Sequence, residues 1–156
     1  MAECKNIMVY VETAEGNPVK VGLEMLSPAK KLADKVTAVV IGGGVADAAK
    51  EVAKAGADQV ICVDSEDYKE FNLDAYAQVL VELVKEENPE AVFVGGTQDG
   101  KDIAPVVAAK CNTGCASDVL DIKAEDGEVI YTCPLYGGTV LEDVKTELRC
   151  SSVKLY

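Results

Sequence analysis

The residues best placed to do chemistry in this 156-residue chain are Gly95 to Lys101, GGTQDGK, with Asp102 behind them. They follow the apolar run AVFV and precede the small-residue pattern IAPVVAAK, so the segment reads as strand, glycine loop and helix. Such a loop presents N–H groups with no partner inside the helix, aided by the positive end of the helix dipole, here expected around Gly100 to Asp102. It can hold a phosphate, a carboxylate or a partner's acidic side chain. Gly95, Gly100 and Lys101 have the spacing of a phosphate-binding G-x-x-x-x-G-K, but the next residue, Asp102, puts a carboxylate where a magnesium-binding hydroxyl is needed. The candidate binding residues are therefore Gly95, Gly96, Thr97, Gly100, Lys101 and Asp102, serving either a nucleotide or a subunit contact. The alternative is a glycine turn that lets strand and helix pack closely.

Other chemistry is largely closed. The chain has no histidine, which removes Ser-His-Asp and Cys-His catalysis and imidazole metal ligands. Its six cysteines, at 4, 62, 111, 115, 133 and 150, form no C-x-x-C. They read as reduced thiols of a cytoplasmic protein rather than a disulfide framework, a zinc site or an iron–sulfur site. Thiol catalysis at Cys111 or Cys115 lacks a nearby base. No catalytic residue and no metal site are expected. A net charge of −12 argues against nucleic acid as a partner, and no apolar run approaches the roughly 20 residues of a membrane span.

The elements that must position the loop alternate regularly. Lys5 to Val11 is a β-branched run that should be the first and central strand. In Val21 to Lys35, apolar residues recur at helical spacing, with Ser27-Pro28 marking either a helix start or a kink. Val36 to Ile41 is a second strand running into Gly42-Gly43-Gly44, and Val45 to Ala55 a helix stopped by Gly56. Gly42, Gly44 and Asp64 partly match a dinucleotide fingerprint, although Asp47 stands in place of its third glycine. Gln59 to Val63 is a third strand, and Asp74 to Glu87 a helix whose buried face is Ala77, Leu80, Val81 and Val84. Strand and helix thus occur four times up to Lys110, which gives an α/β three-layer fold: a mostly parallel sheet with helices on both faces. Ligands of such sheets bind at the carboxyl ends of the strands, where Glu12, Gly42 to Gly44, Asp64 and Gly95 to Lys101 should gather. From Asn112 the pattern becomes strands, with a hairpin turn at Asp126-Gly127, and these antiparallel strands should extend the sheet edge. Residues 1–156 form a single domain, and VKLY is strand-like up to the end of the sequence.

The run GGTQDGKDIAPVVAAKCNTGCASDV resembles the G-x-T-x-x-G-R-D-L-A-P-R-V-A-A-R segment, and the T-G-x-x-x-D after it, of the amino-terminal domain of electron-transfer flavoprotein alpha subunits. Pro134, Tyr136, Gly137 and Gly138 resemble that family's P-x-Y-G-G-N, and the first strand with Val11-Glu12, LSPAKKLADKVTAVVIGGGV and KAGADQVICVD extend the likeness over nearly the whole chain. Departures occur at Lys101, Val106 and Cys133, where arginines are usual, and at Thr139, where asparagine is usual. The resemblance implies a subunit of an electron carrier, not an enzyme with its own catalytic residues. It implies electrons passed from acyl-CoA or related dehydrogenases to an acceptor, and pairing with a beta subunit. FAD would be held by a carboxyl-terminal domain absent from this sequence, leaving none on this chain alone. It offers Asp118, Tyr136, Gly137 and Gly138 as partner contacts. In layout the domain also resembles adenine-nucleotide-hydrolase-like and Rossmann-like domains such as the universal stress proteins. A stand-alone adenine-nucleotide module using Gly95 to Lys101 is the competing expectation.

Overall fold

The computed structural model describes residues 4–126, 128–145 and 152–155. Gly127 of the expected hairpin turn, residues 146–151 with Cys150 among them, and Tyr156 lie outside the described residues.

Strand β1 (Cys4–Tyr10) leads through a two-stranded ribbon, β2 (Thr13–Ala14) with β3 (Asn17–Pro18), into helix α1 (Lys20–Leu32). Then come β4 (Ala33–Gly42), α2 (Ala46–Lys54), β5 (Gln59–Asp64), α3 (Leu73–Glu87), β6 (Ala91–Val94) and α4 (Gln98–Lys110). The remainder is β7 (Cys115–Ala116), β8 (Asp121–Glu125), β9 (Glu128–Leu135), β10 (Val140–Lys145) and β11 (Ser152–Leu155). Strands β5-β4-β1-β6-β11-β7 form one sheet, and its adjacent pairs are all parallel. The chain first steps outward from β1 to β4 and β5, then returns to the other side of β1 for β6. That reversal makes the carboxyl ends of β1 and β6 the place where a crevice opens in such sheets.

The alternation of β1 explains its central position. Ile7, Val9 and Val11 point to one face and Met8 and Tyr10 to the other, and all are buried, as a strand covered on both sides requires. On the first face they meet Met25, Leu26 and Ala29 of α1 and Ala48 and Val52 of α2. On the second they meet Leu80 and Val84 of α3 and Ile103, Ala104 and Val107 of α4.

The structure departs from the sequence reading in three places. Helix α1 starts at Lys20 with Val19 as N-cap and carries Pro28 inside it, so Ser27-Pro28 is not its start. Burial of Met25, Leu26 and Ala29 on both sides of the proline outweighs the hydrogen bond its missing N–H forgoes. Helix α4 begins at Gln98, earlier than the expected Gly100, because the Thr97 side chain caps it by accepting the Gly100 N–H at 3.0 Å. The carboxyl-terminal strands divide. β7 and β11 extend the main sheet in parallel, whereas β8, β9 and β10 form their own antiparallel sheet in the order β10-β9-β8. That second sheet buries Val129, Tyr131 and Cys133 against the same core as α1 and α2.

Candidate functional site

The carboxyl edge is held together by Glu12, just past the end of β1. The Thr97 hydroxyl donates to Glu12 Oε1 at 2.6 Å while accepting from Gly100 N, so one side chain ties the end of β1 to the start of α4. The Lys101 N–H is already bonded to Thr97 O at 3.0 Å. Asp102 is the fifth residue of α4 rather than part of its first turn, where the acid is Asp99. The donors expected from Gly100 to Asp102 are thus spent within the helix start. Packing closes the loop further: a Cβ on Gly100 would lie 1.9 Å from Gly95 O, and one on Gly95 would lie 2.8 Å from Val21 Cγ1. Strand end and helix start touch backbone to backbone, which only glycine permits.

The open space lies beside this closed loop. A cavity of about 620 Å³ is bounded by the end of β1, the β2–β3 ribbon, Gly42 to Gly44 and the segment from Tyr68 to Phe71. Gly44 N donates to Asp64 Oδ1 at 2.7 Å and Ser65 N to Gly42 O at 3.0 Å, so the acid of the partial dinucleotide fingerprint fixes the glycine loop. Tyr76 stands at the wall, edge-on to Phe71 at 5.0 Å and to Tyr68 at 5.8 Å between ring centroids. Four carboxylates line the space, Glu12, Glu15, Glu70 and Asp99, against one cation, Lys69. Burial pushes the Glu12 carboxyl above its usual range, with the Thr97 hydroxyl opposing and the Asp99 charge adding to the rise. Burial likewise raises Tyr10, and the charge of Glu12 is the next cause.

The predicted loop is therefore distributed over three settings. Gly95, Thr97 and Gly100 close the junction. Asp99, absent from the sequence-based candidates, reaches the large cavity. Lys101 points elsewhere, to a second hollow of about 370 Å³ lined also by Pro105, Cys115, Ser117 and Asp118. There its Nζ lies 3.7 Å from Asp118 Oδ1. Gly96 and Asp102 are exposed. Cys115 beside Lys101 has its thiol pushed up by burial, away from the thiolate.

The other candidates sit far along the chain, on the β9–β10 hairpin. Tyr136, Gly137 and Gly138 make the turn joining these strands, and all three have positive φ. Tyr136 is 85% exposed, and Leu141 and Leu120 are 59% and 61% exposed. Leu135 pairs directly with Val140, so these two partly exposed residues lie on one face of the hairpin end. Sequence reasoning found Tyr136 but not Leu120 or Leu141, since single apolar residues in alternating strands look like core. It also missed Tyr68 and Phe71, whose signal was the mixture of acids and aromatics in SEDYKEFN.

A flavin dinucleotide does not fit the residues present. Its pyrophosphate needs free N–H donors or cations, whereas the Gly100 and Lys101 N–H groups are already bonded to Thr97 and the charged groups lining the large cavity are four carboxylates and one lysine. Among the described residues no cluster of three His, Cys, Asp or Glu side chains could hold a metal ion, and no helix is long and apolar enough to cross a membrane.

A parallel sheet whose strand order reverses at β1, layered by helices and hollow at its carboxyl edge, defines a doubly wound α/β domain. The chain belongs to the electron transfer flavoprotein domain family, whose model matches residues 7–150. It is 36% identical over 149 residues to the electron transfer flavoprotein subunit alpha of Clostridium acetobutylicum, covering 92% of this chain and 44% of that protein. It is 39% identical to the subunit alpha of Syntrophomonas wolfei, covering 88% and 43% respectively. It is also 38% identical to the acryloyl-CoA reductase electron transfer subunit beta of Anaerotignum propionicum, covering 90% and 46%. The chain thus spans somewhat under half the length of these relatives, which are named as subunits of electron-transfer proteins.

Proposed function

We propose that this chain is a single pairing domain, residues 1–156, of an electron-transfer flavoprotein alpha subunit. It acts by contact with a beta subunit, in the cytoplasm, within a complex that carries electrons from acyl-CoA or related dehydrogenases to an acceptor. FAD belongs to the rest of that complex, and the isolated chain is colourless. Exposed apolar surface on the β9–β10 hairpin carries this reading: Leu135, Tyr136, Val140 and Leu141 are exposed at the end of a sheet whose Val129, Ile130, Tyr131 and Cys133 are buried. Aromatic residues exposed in this way mark protein interfaces more often than free surface. Asp118, the other contact candidate, lies just before β8 and is ion-paired with Lys101.

The competing reading, a nucleotide module built on Gly95 to Lys101, finds little support in a loop closed on itself. Co-expression with an electron-transfer flavoprotein beta subunit tests the proposal. The pair is expected to co-elute as a heterodimer, and Tyr136→Ser with Leu141→Ser to weaken it by at least about tenfold, the effect of losing one anchoring aromatic. Unchanged pairing in that double variant, or no pairing by the unaltered chain, counts against it.

A further inference from the structure

The large cavity takes no part in the proposed pairing, and its lining is specific enough to name a ligand class. It is a pocket of about 620 Å³ with four carboxylates, Glu12, Glu15, Glu70 and Asp99, and the single ammonium of Lys69, whose Nζ lies 3.6 Å from Glu66 Oε2. Such a field repels phosphates and concentrates cations.

Charge alone would not make a site, but Tyr10 adds an independent observation. It is 98% buried and lines the cavity, and among the described residues no hydrogen bond reaches its hydroxyl. A buried tyrosine normally finds a partner for its O–H. Here the hydroxyl is within electrostatic range of Glu12, Tyr76 and Asp99, whose groups face the same space. The Tyr76 hydroxyl donates to Tyr68 O, so its proton is not offered to Tyr10. The edge-to-face cluster of Tyr68, Phe71 and Tyr76 supplies π surface at the wall, which attracts a cation and packs against an alkyl body.

We propose that this cavity receives an alkylguanidinium or alkylammonium group, with Tyr10 and the lining carboxylates accepting its N–H donors and the aromatic cluster covering its stem. A guanidinium carries five donors and no acceptor, which suits a site rich in acceptor oxygens. A bare divalent ion suits it less, because among the described residues no three acidic groups converge closely enough to coordinate one. The group comes either from a free polyamine-like molecule or from an Arg or Lys side chain of a partner. The chemistry of recognition is the same.

Amide NMR of the full chain titrated with agmatine, at constant ionic strength, tests it. Saturable shifts are expected at Gly16 and at Gly42 to Gly44, with a dissociation constant of about 1 mM or tighter. Glu15 and Glu70 are exposed at the rim, so Glu15→Gln with Glu70→Gln leaves the fold intact. That pair is expected to weaken binding at least about fivefold, and Tyr10→Phe by about fivefold, the usual range for one lost hydrogen bond. Glu51→Gln, which removes an exposed charge on α2 outside the cavity, changes nothing. Nα-acetyl-arginine amide binding as tightly as agmatine identifies a partner's side chain as the source. Agmatine and spermidine binding more than about tenfold tighter than the blocked arginine identifies a free cation. Non-saturating shifts spread over the acidic surface, an equal loss with Glu51→Gln, or tighter binding of AMP than of agmatine overturns the proposal. None of these results depends on whether the hairpin pairs with a beta subunit.

Discussion

Glu12 shows how one side chain can serve the fold at a cost set by pH. Its carboxylate accepts the Thr97 hydroxyl and so joins β1 to α4, yet burial and the neighbouring Asp99 charge raise its pKa. A carboxyl that binds its proton more tightly in the folded than in the unfolded chain makes stability fall as pH rises through the interval between its two pKa values. Above that interval the destabilisation is fully present. Glu12→Gln keeps an oxygen to accept from Thr97 and removes the charge. The variant is therefore expected to melt higher than the unaltered chain at pH 7.5, with the difference shrinking to nothing below about pH 4, the ordinary glutamate range. Thermal melts across that pH series, with Glu51→Gln as the control for loss of one exposed charge, decide it. A variant that melts lower at pH 7.5 would show that the Thr97 bond needs the ionised form.

At the scale of elements, the four strand–helix units were legible because each one obeys a strong local rule. Ala77, Leu80, Val81 and Val84 fall on one helical face and are all buried, and Asn88 closes that helix in the left-handed conformation. The start of α1 stayed open between two positions because a serine before a proline is a good local start signal, whereas Val19, the actual cap, offers no side-chain bond. The start of α4 was displaced for a related reason. The capping oxygen belongs to Thr97, inside what looked like a free loop. The separate antiparallel sheet was not readable either, since alternation specifies a half-buried strand but not which sheet it joins. The glycine loop itself yields a sharp test. In an ordinary helix interior Gly→Ala gains about 1 kcal/mol. At Gly100 the added Cβ would meet Gly95 O at 1.9 Å, so the sign should reverse. Gly100→Ala is expected to lose about 2 kcal/mol or more, as overpacked sites do. Denaturant unfolding of that variant measures it directly, and a gain in stability would mean that the loop opens freely.

Taken whole, the molecule presents two different surfaces. One is the carboxyl edge of the parallel sheet, where the glycine junction is closed and the adjacent cavity is acidic. The other is the small antiparallel sheet, which is anchored through Val129, Tyr131 and Cys133 and exposes Tyr136, Val140 and Leu141 at its far end. The sequence drew attention to both regions, Gly95 to Lys101 and Tyr136 to Gly138, and ranked the first as the candidate binding loop. Spacing alone cannot reveal that Gly100 packs against the Gly95 carbonyl or that its N–H is already bonded to the Thr97 hydroxyl. The net charge of −12 leaves a large field over the surface, so a partner with complementary basic residues would be steered to it and association slowed by salt. The most direct measurement is amide hydrogen exchange of the chain alone and with an electron-transfer flavoprotein beta subunit. Pairing through the hairpin predicts new protection in peptides spanning Pro134 to Leu141 and Asp118 to Leu120, with little change from Tyr68 to Phe71. Protection centred on Gly42 to Gly44 and Tyr68 to Phe71, with the hairpin still exchanging freely, would contradict it.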